Sequence, residues 1–256
     1  MSEPVRLELK DGIATITLNR PEKKNALTVE MYEKIVSGLQ GYEADPEARV
    51  IVIRSEGDAF TSGNDLKDFM NAPPAGEDSP VFRLLLTLVD LEKPLIAEVN
   101  GLAVGIGTTL LFHCDLVYAA QSARFQMPFV NLGLCPEAAS SFLLPRFLGM
   151  PKAAELLMLG EAFSASDALG MGFVNALFPG EELREQTQAR AEKLAAQPAA
   201  AVRATKKLLR EDLRAATKAS IEKEGALFIE RLSSPEAREA FTAFFEKRKP
   251  DFTQFS

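Results

Sequence analysis

The feature that most restricts the fold is a repeated order along the chain: a short apolar strand, a glycine-bearing loop, then a helix. Val50-Ile-Val-Ile-Arg54 leads into the loop 57–64 and a helical start at 65–69. Leu95-Ile-Ala-Glu-Val99 leads into a second glycine loop, 100–107, and a run over 108–114 that reads as a buried helix before the strand Leu116-Val-Tyr-Ala119. Strands that are apolar on both faces need cover on both, and alternation with helices supplies it, so the class is α/β.

The flanking segments fit that frame. Val5, Leu7 and Leu9 alternate with polar residues, as do Ile13, Thr15 and Thr17, and Asp11-Gly12 between them predicts a hairpin. Residues 19–25 are polar and contain Pro21, so they read as a loop; Thr28 then caps an amphipathic helix through Met31, Ile35 and Leu39. The stretch 72–79 has surface-loop composition, and Phe82, Leu85, Leu88 and Leu91 mark another helix. From about Ala189 the chain turns to Ala, Lys, Arg, Glu and Leu with helical spacing. A boundary at Gln197-Pro198 divides a core, 1–197, from a helical C-terminal region, 198–256. Its apolar positions, Leu208, Leu213, Leu227, Phe228, Phe241, Phe244 and Phe245, cover either the core or a neighbouring subunit.

Charge and targeting signals exclude several classes. With Lys+Arg 29 against Asp+Glu 36 the net charge is −7, which speaks against a general nucleic-acid surface. No apolar run has membrane-spanning length, the start Met-Ser-Glu-Pro-Val lacks the parts of a secretory signal, and Thr253-Gln-Phe-Ser256 is no peroxisomal address. Cys114 and Cys135 sit in apolar contexts as reduced thiols, and a cytoplasmic location is expected.

Ser62-Gly-Asn-Asp65 and Val104-Gly-Ile-Gly107 each follow a buried strand and precede a helix, an arrangement that presents backbone N–H groups to a developing oxyanion. Either loop alone reads first as a plain turn, the commonest use of such sequences. Taken with Thr15-Ile-Thr-Leu-Asn-Arg-Pro-Glu-Lys-Lys-Asn-Ala-Leu27, Phe60-Thr-Ser-Gly-Asn-Asp-Leu66, Val99-Asn-Gly-Leu-Ala-Val-Gly-Ile-Gly107 and Cys114-Asp115, in that order, the chain resembles the crotonase superfamily of enoyl-CoA hydratases and isomerases over nearly its whole length. The resemblance implies a crotonase-type spiral of ββα repeats whose C-terminal helices assemble a homotrimer or hexamer. It implies an acyl-CoA thioester as substrate, with coenzyme A entering as part of that substrate and no metal or redox cofactor.

Residue by residue, the resemblance puts the oxyanion N–H groups on Asn64 and on Ile106, where many relatives carry glycine, with Gly105 in the same substrate-binding loop. It puts Lys24, Ala26 and Leu27 against the pantetheine or nucleotide of coenzyme A, and Ser62, Asp65 and Leu66 near the adenine and pantetheine. Read locally, Lys24 is also a plain solvated lysine and Asp65 a helix cap. Lys247, Arg248 and Lys249 read as a solvated terminal cluster, with contact to a neighbouring subunit's coenzyme A phosphate as the alternative.

Counting carboxylates then selects the reaction. Hydratases of this family carry two glutamates, and the matching places here hold Thr109 and Phe129, neither of which is a base near neutral pH. Glu137, in Asn131-Leu-Gly-Leu-Cys-Pro-Glu-Ala-Ala-Ser-Ser141, stands where the Δ3-Δ2-enoyl-CoA isomerase branch has its single catalytic glutamate. That resemblance implies movement of a double bond from 3-enoyl-CoA to trans-2-enoyl-CoA, with Glu137 shuttling the proton. The purely structural reading is that Glu137 starts a helix, since Pro136-Glu137 before Ala138-Ala139 suits a first turn. The rivals are a hydratase using Glu137 in another geometry, an isomerase of ring-derived acyl-CoAs, and a non-catalytic acyl-CoA-binding protein. His113, the one histidine, has no metal-ligand companions and reads as a core residue; Asp115 reads as structural. Residues 69–79 and Phe82 are expected to shape the acyl pocket.

Overall fold

The computed structural model describes residues 3–71, 76 and 78–255. β1 (Val5–Lys10) and β2 (Ile13–Leu18) form the antiparallel hairpin, with Val5 opposite Leu18 and Lys10 opposite Ile13. Asp11 and Gly12 between them take the positive φ angles, 51° and 78°, that such a tight turn requires. In α1 (Val29–Ala44) the Thr28 hydroxyl accepts the Met31 N–H and the apolar face is buried. Then come β3 (Val50–Ser55), β4 (Ala59–Thr61), α2 (Leu66–Asn71) and α3 (Pro80–Asp90), followed by β5 (Leu95–Val99), β6 (Leu102–Val104) and α4 (Ile106–Thr109). β7 (Leu116–Ala120) and β8 (Arg124–Gln126) precede α5 (Ser140–Leu148), α6 (Met150–Leu159), β9 (Phe163–Ser164), α7 (Ala165–Gly170), β10 (Ala176–Phe178), α8 (Gly180–Ala195), α9 (Ala199–Leu232) and α10 (Pro235–Phe245).

From β3 to β8 the strands come in pairs, one to each of two sheets. The larger sheet has the order β1-β2-β3-β5-β7-β10 and the smaller the order β4-β6-β8-β9. Apart from the β1–β2 hairpin and the β8–β9 pair the neighbours run parallel. Each ββα unit thus advances by one strand in each sheet, which is the spiral that the resemblance implied.

The apolar strands are covered on both faces. One face of the large sheet meets the main core, including Ile16, Ile51, Leu95 and Phe60. The other carries Ile13, Val50, Val52, Ile96 and Tyr118 against Leu183, Ala191 and Ala195 of α8. The C-terminal run of helices therefore begins at Gly180, earlier than the composition change near Ala189 suggested. α8 buries only Leu183, Thr187, Ala191 and Ala195, a stripe of mostly small residues at i, i+4 spacing that leaves the segment reading as polar. The expected buried helix over 108–114 is also different: α4 stops at Thr109 and the chain tightens into a 3₁₀ turn over Leu110–His113.

In the C-terminal helices Phe228 and Phe241 are buried, whereas Leu208, Leu227, Phe244 and Phe245 are exposed. α9 is fixed to the sheet by a charged rivet at the start of β5. Asp115 Oδ2 accepts from the Leu95 N–H at 2.8 Å and from Lys206 Nζ at 2.7 Å, and Oδ1 accepts from Arg210 Nε at 3.1 Å. Lys206 Nζ also donates to the Lys93 carbonyl at 2.8 Å, and Arg210 to the Cys114 carbonyl at 2.7 Å. Burial pulls the Lys206 ammonium below its ordinary value, and Asp115 opposes that pull. Removing Asp115 strands a buried cation and a strand amide together. Asp115→Ala is expected to lower the unfolding free energy by about 3 kcal/mol, and Lys207→Ala on the exposed face by under about 0.5 kcal/mol. Chemical denaturation of the two variants checks the contrast.

Candidate active site

The loops singled out in the sequence meet in one cleft of about 610 Å³. Lys23 and Ala26 of the loop 20–27 line it, and that loop is pinned from within by buried Asn25, whose Nδ2 donates to the Glu56 and Ala59 carbonyls, both at 2.8 Å. Leu27 and Asn64 form a parallel bridge: the Leu27 N–H donates to the Gly63 carbonyl at 2.8 Å and the Asp65 N–H to the Leu27 carbonyl at 2.9 Å. In such a bridge the middle residue's own amide faces away from the partner strand. Asn64 therefore lines the cleft with an N–H that has no hydrogen-bond partner among the described residues. Gly105 opens α4 at φ 56°, ψ −121°, a conformation that side chains disfavour, and places Ile106 in the first turn. The Ile106 N–H likewise has no partner among the described residues.

Ala26, Ser62, Asp65, Leu66 and Gly105 join Asn64 and Ile106 in lining this cleft. Lys24 and Leu27 do not. Leu27 is a core side chain, and Lys24 is the left-handed cap of the short 3₁₀ turn over Pro21–Lys23. The cations on the cleft wall are Lys23 and Lys67. Asp65 does cap α2, accepting from the Lys67 and Asp68 amides, and it pairs with Arg20 at 2.8 Å. Burial alone would raise its carboxyl, but the Arg20 bond and the α2 amides together hold it below the ordinary range. The far wall is aromatic: Phe129, Phe228, Phe241, Phe244 and Phe245. The three from α10 counted in the sequence only as apolar helix positions.

Behind the cleft lies a small inner pocket of about 30 Å³, reached past Asn64 and Phe228, which line both spaces. Its remaining walls are Val81, Phe82, Leu85, Ile221, Gly225, Ala138 and Glu137. Phe82 is thus at the pocket, as expected, while 72–75 and 77 of the neighbouring stretch lie outside the described residues. Glu137 is the titratable side chain in this lining, and it is half-buried. Its Oε1 accepts from the Thr109 hydroxyl at 2.5 Å. Burial raises the Glu137 carboxyl to about 7, against the Thr109 bond, which lowers it, and with help from the charge of Glu224. Phe129, at the other glutamate-equivalent place, packs edge-on to Phe228 with ring centroids 6.4 Å apart.

Glu137 does not start a helix. α5 begins at Ser140, and between them Ala138 and Ala139 are both left-handed, with φ 60° and 56°. Non-glycine residues adopt this conformation at a cost of about 1–2 kcal/mol each, so surrounding contacts must hold it. His113 Nε2 donates to the Ala138 carbonyl at 2.8 Å. Burial pushes the His113 imidazole down to about 4, so it stays neutral there. Glu224 of α9 accepts from the Ser141 amide at 2.8 Å and the Ser141 hydroxyl at 2.5 Å.

Two further polar groups at this site were missed in the sequence. Tyr32 of α1 donates to Asn64 Oδ1 at 2.5 Å; burial, and then the Glu137 charge, hold its phenol well above the ordinary value. Glu224 is the other. Each sits on the buried stripe of its helix, beside Met31 and Ile35 or Ile221 and Phe228, and a lone polar group on such a stripe needs a partner. Arg248, by contrast, is occupied by Glu239 and Glu246.

Residues 8–255 match the family model described as enoyl-CoA hydratase/isomerase. The chain belongs to this family. It is 37% identical over 255 residues to the Rattus norvegicus protein named enoyl-CoA delta isomerase 2; this alignment covers 97% of the chain and 65% of the rat protein. It is also 37% identical to a probable enoyl-CoA hydratase of Rhodobacter capsulatus, with 97% of each covered. The crystal structure of an enoyl-CoA hydratase/isomerase from Pseudoalteromonas atlantica T6c superposes with a TM-score of 0.93 at 39% identity, covering 98% of this chain and 100% of that one. The two-sheet spiral is thus the fold of the crotonase superfamily to which the family belongs. Among the described residues no group of three or more His, Cys, Asp or Glu side chains is arranged to hold a metal ion, and no helix is long and apolar enough to cross a membrane.

A carboxyl raised in the fold stabilises it relatively at low pH and loses that contribution as pH climbs through the raised value. Glu137→Gln removes the titration. Relative to this variant, the wild type is expected to lose roughly 3 kcal/mol of stability as pH rises from the carboxyl's ordinary 4.5 to above about 7. Denaturant midpoints for both proteins across that range measure the difference.

Proposed function

We propose that this family member moves a double bond in an acyl-CoA thioester, converting a 3-enoyl-CoA to a trans-2-enoyl-CoA. The observation that carries the reading is Glu137, the titratable group on a pocket that is apolar apart from Asn64, with a proton affinity near neutrality. In this reading the thioester oxygen lies at the Asn64 and Ile106 amides, and the acyl chain enters the inner pocket past Phe228. With Oε1 engaged by Thr109, the carboxylate takes a proton from C2. The C–H electron pair spreads over C2, C3, C4 and the thioester oxygen, where the two N–H groups stabilise it; each such donor is worth about 3 kcal/mol. Glu137 then returns the proton at C4, and the double bond rests between C2 and C3.

Migration needs one acid/base group, whereas hydration also needs a group to activate water. Thr109 is committed to Glu137, Phe129 to an aromatic contact, and apolar walls discourage water beside the carboxylate. Coenzyme A would lie along the outer cleft, where Lys23 and Lys67 offer charge opposite to its phosphates and the α10 aromatics offer apolar surface.

The test is turnover of 3-hexenoyl-CoA and trans-2-hexenoyl-CoA, with migration and hydration followed separately. Migration is expected to dominate and to fall by about 10²–10⁴ in Glu137→Gln. For wild type, kcat/KM should rise with pH and level off above about 7, where Glu137 is ionised. Hydration as the main wild-type activity, or migration that survives the substitution, contradicts the reading.

A further inference from the structure

Glu224 is a buried carboxylate that the proposed reaction does not use, placed on the C-terminal helix α9, far in sequence from the loops that form the site. Its Oε1 accepts both the amide and the hydroxyl of Ser141, while Oε2 is buried with no hydrogen-bond partner among the described residues. A buried polar group so placed is costly unless something requires it. What it meets is the first turn of α5, where the N-cap residue is Ala139, whose side chain makes no capping bond. Orphan amides at a helix start are normally capped by the preceding residue's own side chain. Here the cap comes from another helix. A Ser or Asp at 139 could cap from within, but the chain there is spent on the left-handed Ala138–Ala139 pair that turns Glu137 out of the helix and onto the inner pocket.

We propose that Glu224 is the positioning residue for Glu137: by capping α5 from α9 it holds the left-handed turn that aims the Glu137 carboxylate at the inner pocket. His113 secures the same turn from the other side through the Ala138 carbonyl. The Glu224 charge also raises the Glu137 carboxyl, after burial and against Thr109. The other groups facing Glu137 are Tyr32 from α1, Thr109 from α4 and Cys135 from its own loop. Burial pushes the Tyr32 and Cys135 groups up, so both are neutral near pH 7; burial also raises the Glu224 carboxyl, against the hydrogen bonds it accepts from Ser141. α9 thereby supplies the acyl-pocket residues Ile221, Gly225 and Phe228 on one face and the support for the base on the adjoining one.

The inference rests on the acid/base role given to Glu137, and its test includes readouts that need no turnover. Glu224→Gln keeps an acceptor for Ser141 but removes the charge; Glu224→Ala removes both. Carbon-13 NMR would follow the Glu137 carboxyl titration and the Cα shifts of Ala138 and Ala139, alongside kcat and KM for 3-hexenoyl-CoA. In Glu224→Gln the turn shifts should be unchanged, kcat should stay within about threefold, and the Glu137 titration should move to lower pH. In Glu224→Ala the turn shifts should leave the left-handed range and kcat should fall about tenfold or more, with KM within about twofold. If the Ala variant does not fold, the Gln variant's titration and turn shifts still decide. An unchanged Glu137 titration in Glu224→Gln, wild-type turn shifts in a folded Glu224→Ala, or equal losses of kcat in the two variants would overturn the proposal. Absence of wild-type turnover would count against the reaction, and the NMR readouts would still judge Glu224.

Discussion

A carboxylate facing a pocket walled by phenylalanine, leucine, isoleucine and valine is disfavoured in its charged form, and the surroundings of Glu137 are built to keep it there regardless. Three elements hold it. Thr109 at the end of α4 donates to Oε1, His113 from the following 3₁₀ turn grips the next carbonyl, and Glu224 of α9 caps the helix that follows. The result is a carboxyl whose proton affinity lies near neutral pH because desolvation outweighs its one strong hydrogen bond. The proposed proton transfer to and from carbon would benefit from this match, since a group near neutrality both accepts and returns a proton.

The opposite wall is made of backbone. Parallel bridging uses the Gly63 carbonyl and the Asp65 amide and leaves the Asn64 N–H free, while the glycine kink at 105 leaves the Ile106 N–H at the start of a helical turn. Two open amides at the edge of one apolar cleft are a liability in a plain structural turn, because unpaired buried N–H groups cost stability. In the proposed reaction a substrate oxygen completes them. Tyr32 strengthens the arrangement by fixing the Asn64 side chain from α1, so the same helix that packs under the hairpin also steadies the loop.

Much of this was legible in the sequence because local chemistry dictated it. Asp11-Gly12 forced the hairpin, the strands at 50 and 95 read as doubly covered, and the two glycine loops signalled where backbone would be exposed. What escaped depends on partners distant in sequence. α8 hid because it covers its sheet face with small residues, and the strands β8, β9 and β10 are two or three residues long, too short to show a period. The left-handed turn at 138–139 carries no glycine to announce it. Lys24 and Leu27 were placed by likeness to relatives, yet the side chain that reaches the cleft from that loop's lysine pair is Lys23. Glu224 and the α10 phenylalanines belong to helices whose composition reads only as amphipathic, and their role follows from where α9 is riveted by Asp115.

In the proposed reaction one carboxylate, screened from water, carries the proton from one carbon to another. A 3-enoyl-CoA carrying two deuterium atoms at C2, turned over in ordinary water, reveals that path through the position of the label in the trans-2-enoyl-CoA formed in the first turnovers. Transfer by Glu137 should leave deuterium at C4 together with the deuterium left at C2, and no oxygen from water in the product. A C4 hydrogen drawn wholly from solvent, or a product hydroxylated at C3, would contradict it.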